Sequence, residues 1–172
     1  RSLSSAASDV YKRQDATAPT QIQISNMTIR TTVAYGGLSI DNATKVFVNN
    51  VKFQGTFVSG GTDASTSKGV SVRSTTALPC AYIVFDQCQF TGFARLVDMS
   101  YDVTNVRFTN CDFSTAYYGA LIGAEMDGST NGLTKGPRDI QFSGSSWSTI
   151  GQQAIWVKPA AGADAGTGAR NV

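Results

Sequence analysis

Apolar and polar residues alternate along this chain in short runs, and the runs recur. The unit is plainest in Val106-Arg107-Phe108-Thr109-Asn110-Cys111-Asp112-Phe113-Ser114, with an apolar residue at every second place, then Asn, then Cys-x-Phe. Copies begin at Ile22, Val46, Ile83, Val106 and Ile140, so the spacings are 24, 37, 23 and 34. The two long spacings read as a period of 23 carrying insertions of 14 and 11. Strict alternation predicts strands with one buried face. Each copy is followed by a second short apolar piece: Leu38–Ile40, Val70–Val72, Val97–Met99, Leu121-Ile122 and Ile155–Val157. The expected repeat is therefore a strand, a one-residue corner, a second strand, a looser turn and a third strand. No segment carries sustained helical spacing.

A unit of this size cannot bury its own apolar face, so the copies must stack on one another. The expected fold class is all-β, a right-handed parallel β-helix of about five coils over residues 22–159, with the hand taken from the rule for parallel crossovers. The corner position holds Asn26, Asn50, Gln87, Asn110 and Gly144. Asn and Gly tolerate the left-handed backbone that a sharp bend requires. Stacked amides can also bond from one coil to the next. With these features residues 22–157 resemble the pectate-lyase-like family of right-handed β-helices, with its Asn ladder and Phe stacks. The resemblance implies a structural column at Phe53, Phe90, Phe113 and Trp147. It implies no single function, because polysaccharide lyases, glycoside hydrolases, epimerases, adhesins and phage tailspikes all use this architecture.

The boundaries follow from breaks in the pattern. Residues 1–14 resemble a translated sequencing-adapter read-through, lack the apolar core of a secretory signal, and are set aside as non-native. Residues 15–21 read as a linker or frayed coil. Residues 55–68 (GTFVSGGTDASTSK) and 127–138 (DGSTNGLTKGPR) read as protruding loops. Residues 75–80 (TTALPC) form a shorter excursion in which Pro79 bars a regular strand and which places Cys80 in a loop. Residues 160–172 form a Gly/Ala-rich tail or a truncated next coil. Without visible caps, the expectation is a fragment of a longer protein.

Charge changes the picture once the first 14 residues are removed. The chain has 14 basic and 12 acidic residues, but Arg1, Lys12, Arg13 and Asp9 lie in that stretch, leaving eleven of each. A balanced body gives no nucleic-acid footprint, and no apolar run is long enough for a membrane span. There is no His and no Cys-x-x-Cys, so neither a zinc site nor a cofactor is expected. The turn glycines form no phosphate-binding loop. Cys88 and Cys111 share one position in successive copies. They are either a disulfide or metal pair, or a stack of small buried hydrophobes. The equivalent Met27, Val51 and Ser145 favour packing.

Two groups could carry chemistry. Asp98, Glu125 and Asp127 follow strands of adjacent copies, and alternation turns Asp98 and Glu125 outward, near Asp41, Arg73 and Lys158. Glycoside cleavage needs two acids flanking one bond, which makes Asp98, Glu125 and Arg73 the catalytic candidates. The competing reading is a solvated, charge-paired face. Family members of the polygalacturonase type are expected to use paired Asp with a His, and lyase types several Asp around calcium with an Arg base. No motif here matches either, so no residue is carried over. The second group is aromatic: outward Trp156, with Tyr117 and Tyr118 at the turn after Phe113, and Phe57 in the first long loop. Ligand sites combine aromatic walls with a few placed polar groups. The partner expected is a polysaccharide or surface glycan. The function expected is a structural or receptor-binding module of a phage tail fibre or tailspike, trimeric and located on a virion or outside the cell. The alternative is a secreted polysaccharide lyase or glycoside hydrolase, or an adhesin.

Overall fold

The computed structural model describes residues 21–32, 36–64, 67–74, 80–123, 136–157 and 172. These residues form eleven strands and no helix. In chain order they are β1 (Ile22–Arg30), β2 (Leu38–Asp41), β3 (Thr44–Gln54), β4 (Lys68–Arg73), β5 (Cys80–Asp86), β6 (Gln89–Ser100), β7 (Val103–Thr109), β8 (Asp112–Ile122), β9 (Arg138–Ser143), β10 (Ser146–Ile150) and β11 (Ile155–Val157). All pair into one sheet, and every pairing is parallel.

The register follows the repeat. Ile22 pairs with Val46, Val46 with Ile83, Ile83 with Val106 and Val106 with Ile140, so the five copy starts lie in one row. The second and third strands expected in the middle copies are merged into β6 and β8. Alternation explains why the rows hold. A slip of one residue would turn every buried side chain to the other face.

The corners behave as their residue types predict. Asn26, Asn50, Gln87, Asn110 and Gly144 all have φ between 51° and 60°. The Asn50 amide donates to Asn26 Oδ1 at 2.9 Å, one rung of the amide ladder. Two more sets of left-handed residues stack in register: Lys45, Tyr82, Asn105 and Asp139 form one, and Gly92, Thr115 and Thr149 the other. A left-handed L-residue costs about 1–2 kcal/mol. In the first set, parallel pairing on both sides of the bend holds Lys45 and Tyr82 left-handed beside Asn105 and Asp139.

Two aromatic columns fill the interior. Phe53, Phe90, Phe113 and Trp147 stack at 4.8, 4.9 and 4.1 Å with planes within 12°. Phe85, Phe108 and Phe142 stack beside them at 4.7 and 4.8 Å. The columns meet edge to face, as at Phe90–Phe108. Most of these separations match the strand spacing of about 4.8 Å, so the backbone sets them. Cys88 and Cys111 are buried free thiols within this core. Each S–H donates to backbone carbonyls, Cys88 to Val48 at 3.5 Å and Cys111 to Phe85 at 3.6 Å. Cys80 was expected in a loop. Instead it opens β5, fully buried, with its S–H directed at the Ile40 carbonyl. A position with a neighbour on only one side stays wet. Met27 is 45% exposed, whereas Val51, in register with it, is 1% exposed.

The loop after β3 does not stand free as expected. The Gly55 and Phe57 amides donate to the Thr91 and Gly92 carbonyls, and the Arg95 amide donates to the Ser67 carbonyl. Both ends of the loop are therefore bound to β6. Glycine makes the approach possible, since a Cβ on Gly55 would collide with the Gly92 carbonyl oxygen, and Gly92 itself has φ of 76°. The other expected protrusions, residues 75–79 and 127–135, lie outside the described residues, as do residues 1–20 and 158–171.

Candidate functional site

The bound loop creates a site that alternation alone does not foresee. Lys68, Arg95 and Tyr118 lie in one row across β4, β6 and β8. Ser71, Asp98, Leu121 and Trp156 lie in the next outer row, which ends on β11. The Gly119 and Ala120 amides donate to the carbonyls of Gln153 and Ala154, which holds the β11 arm against β8 and sets Trp156 opposite Leu121.

Arg95 is the hub of the charged part. Its Nε and Nη2 donate to the two oxygens of Asp63 at 2.9 and 2.6 Å, and its Nη1 donates to Asp98 Oδ2 at 2.9 Å. Lys68 Nζ lies 3.2 Å from the other Asp98 oxygen. The hydrogen bonds that it donates to Asp63 and Asp98 outweigh burial and hold the guanidinium above its usual range, so it stays charged. A fork of this kind is the strong form of ion pair.

Asp98 corrects the sequence reading. Its parity does place it off the main core, but its side chain is only 1% exposed. Lys68 of β4 and Arg95 of β6 close over it, and such burial is tolerated because both carboxylate oxygens are partnered. Arg73 serves a different pair. Its Nε donates to Asp41 at 2.8 Å, and the same contact is half-exposed. The groove expected from Asp41, Arg73 and Asp98 is thus split between two ion-pair sets. Glu125, Asp127 and Lys158 lie outside the described residues.

The aromatic candidates do come together. Tyr118 packs edge to face on Tyr117 with centroids 4.7 Å apart, and tilts at 43° against Trp156 at 4.9 Å. All three are partly exposed. Tyr117 and Tyr118 belong to β8 rather than to a turn after Phe113. Desolvation first, then the neighbouring Tyr117, pushes the Tyr118 phenol up, so it remains a neutral donor and acceptor. The tilted pair forms an open aromatic wall with the Asp63–Arg95 fork beside it in the same row. Sequence reasoning missed Asp63, Lys68 and Arg95. The available signal was a Gly/Ser-rich loop containing one Asp, returning to a Lys that faces an Arg one repeat on.

The amide corner borders a second concavity, a shallow open groove of about 340 Å³ lined by Asn26, Asn50, Gln87, Lys52 and Gln89. Among the described residues no group of three or more His, Cys, Asp or Glu could hold a metal ion, and no helix is long and apolar enough to cross a membrane. Comparison with known protein families, curated proteins and solved structures finds no match to this chain.

Proposed function

We propose that the chain is a right-handed parallel β-helix acting as a structural or receptor-binding module of a phage tail fibre or tailspike-like appendage. It contacts surface glycans without cleaving them. The observation that carries this reading is the half-exposed Tyr117–Tyr118–Trp156 wall beside the Asp63–Arg95 fork. An aromatic face with adjacent hydrogen-bonding groups fits a sugar ring, which is apolar on its faces and hydroxylated on its rim. Asp98 supports binding over catalysis, because its carboxylate is enclosed and both oxygens are committed to cations. The handed coil is supported by the repeat register and by the corner residues. Exposed Phe47 and Tyr82 leave apolar surface for sister chains of a trimer.

The test is titration of the protein with bacterial surface polysaccharides, read by tryptophan fluorescence and calorimetry, with product sizing in parallel. Saturable binding is expected, weakened at least about tenfold by Tyr118→Ala or Trp156→Ala, with polymer length unchanged. Shortened polymer would establish the alternative, a secreted carbohydrate-active enzyme. Absence of binding to any glycan would reduce the chain to a structural role.

A further inference from the structure

Resting on the glycan-contact reading, we propose that this wall selects neutral sugars and rejects uronates and other anionic glycans. The charges decide it. The fork holds two cations, Arg95 and Lys68, and two carboxylates, Asp63 and Asp98. They cancel. Arg95 already spends Nε, Nη1 and Nη2 on protein carboxylates, and Lys68 is engaged with the buried one. No uncommitted cation of this fork is left to repay the desolvation of an incoming carboxylate.

Asp63 sets the positive preference. Its side chain is 30% exposed, and each oxygen receives one bond from Arg95. A carboxylate has about four lone-pair sites, so each oxygen can still accept from a ligand. Sugar hydroxyls are donors and suit these sites. A uronate brings a like charge to the same place and is repelled. Arg95 fixes the plane of Asp63, so a vicinal pair of hydroxyls meets two pre-set acceptors near Tyr118, the ring in register with Arg95. Held groups of this kind lose little freedom on binding.

The experiment compares neutral polymers (mannan, galactan, dextran) with acidic ones (polygalacturonate, polysialate) on the same protein. The variants are Asp63→Asn and Asp63→Ala, with thermal melts confirming that each stays folded. Expected are binding of at least one neutral polymer, insensitive to salt, and no saturable binding of the acidic ones. Asp63→Asn should lose about tenfold or more for the neutral polymer, the worth of a hydrogen bond to a charged acceptor. It should also gain measurable affinity for polygalacturonate, because Arg95 and Lys68 are then left with Asp98 as the one carboxylate of the fork. Acidic polymers bound as tightly as neutral ones would overturn the selectivity while leaving glycan contact standing. Unchanged neutral binding in both Asp63 variants would remove Asp63 from the site. Failure of every polymer to bind would overturn the glycan reading itself.

Discussion

Phe113 and Tyr118 lie on the same strand, β8, but their rings obey different constraints. Phe113 is buried between Phe90 and Trp147 with ring planes within 12°. Tyr118 is partly exposed, and its neighbours stand at 87° and 43°. Inside, ring spacing copies strand spacing, so the backbone decides how the aromatics meet. Outside, no column is imposed, and the rings take the edge-on and tilted contacts that their quadrupoles favour. The same repeat therefore uses aromatics in two ways. Those between the strands hold the stack together, and those on the outer row remain available to a ligand.

The largest expected effect comes from truncating one ring in each region. Phe90 touches Phe53 and Phe113 face to face and Phe85 and Phe108 edge to face. Phe90→Ala is expected to cost about 3–5 kcal/mol, from lost burial and a cavity that stacked strands cannot collapse into. Tyr118→Ala is expected to cost less than about 1 kcal/mol. Urea midpoints at unchanged m-value measure both. Equal costs would erase the distinction between the two regions.

Asp98 tests whether the outer row is tied down by charge. Asp98→Asn leaves Lys68 and the Asp63-paired Arg95 without their buried carboxylate. A loss of about 2–3 kcal/mol is expected, below the full cost of breaking a buried pair because Arg95 keeps Asp63. Hydrogen exchange should rise first at the Ala94 and Arg95 amides, which bond to Ser67 in the loop. A change within about 0.5 kcal/mol would show that the loop closes without the ion cluster.

Cys80 tests how dry the interior is. Burial pushes its thiol up to about 12, partly opposed by backbone hydrogen bonds. The folded value lies above the unfolded one, so the stabilisation is complete below about pH 9 and is lost as pH rises towards 12. By pH 10 the native state should have lost about 1.4 kcal/mol relative to neutral pH. Cys80→Ala, though less stable at neutral pH, should lack that increment. Identical alkaline slopes for the two proteins would mean that water reaches this end of β5.

The parts legible in the sequence are those set by local pattern. Alternation fixed which residues of β3, β5, β7 and β9 face inward, and the repeated Asn marked the first corner. Trp156 is read from the sequence as outward between inward Ile155 and Val157, but both flanking residues are exposed, at 40% and 41%, because among the described residues β11 pairs with β8 alone. The burial of Asp98 was not legible, because it depends on Lys68 of the preceding repeat stacking beside Arg95 and pairing with the Asp98 carboxylate. Arg95 likewise gave no sign in its own strand. Its role arises from Asp63 and Lys68, which only the stacking of β4 on β6 brings near. The hidden corners were illegible for another reason. Lys45, Tyr82, Thr115 and Thr149 are poor left-handed residues, so composition argued against a bend where the structure has one.

Thr115 lies between the two regions, with inner Phe113 on one side and outer Tyr117 on the other. Its φ is 55°, and a β-branched residue there is a true outlier. The preceding repeat has Gly92 at the same place in the register, with φ of 76°. Thr115→Gly removes a left-handed cost of about 1–2 kcal/mol and adds back about 0.5–1 kcal/mol of glycine entropy. A net gain of up to about 1.5 kcal/mol is expected. Ser114→Gly, at a position with no left-handed backbone, should instead lose about 0.5–1 kcal/mol. If both variants are destabilised alike, Thr115 is held by contacts that outweigh its strain, and the bend between the core and the outer aromatics is set by the side chain. If Thr115→Gly gains while Ser114→Gly loses, the bend belongs to the backbone, and the outer aromatics are placed by the same stacking that orders the inner ones.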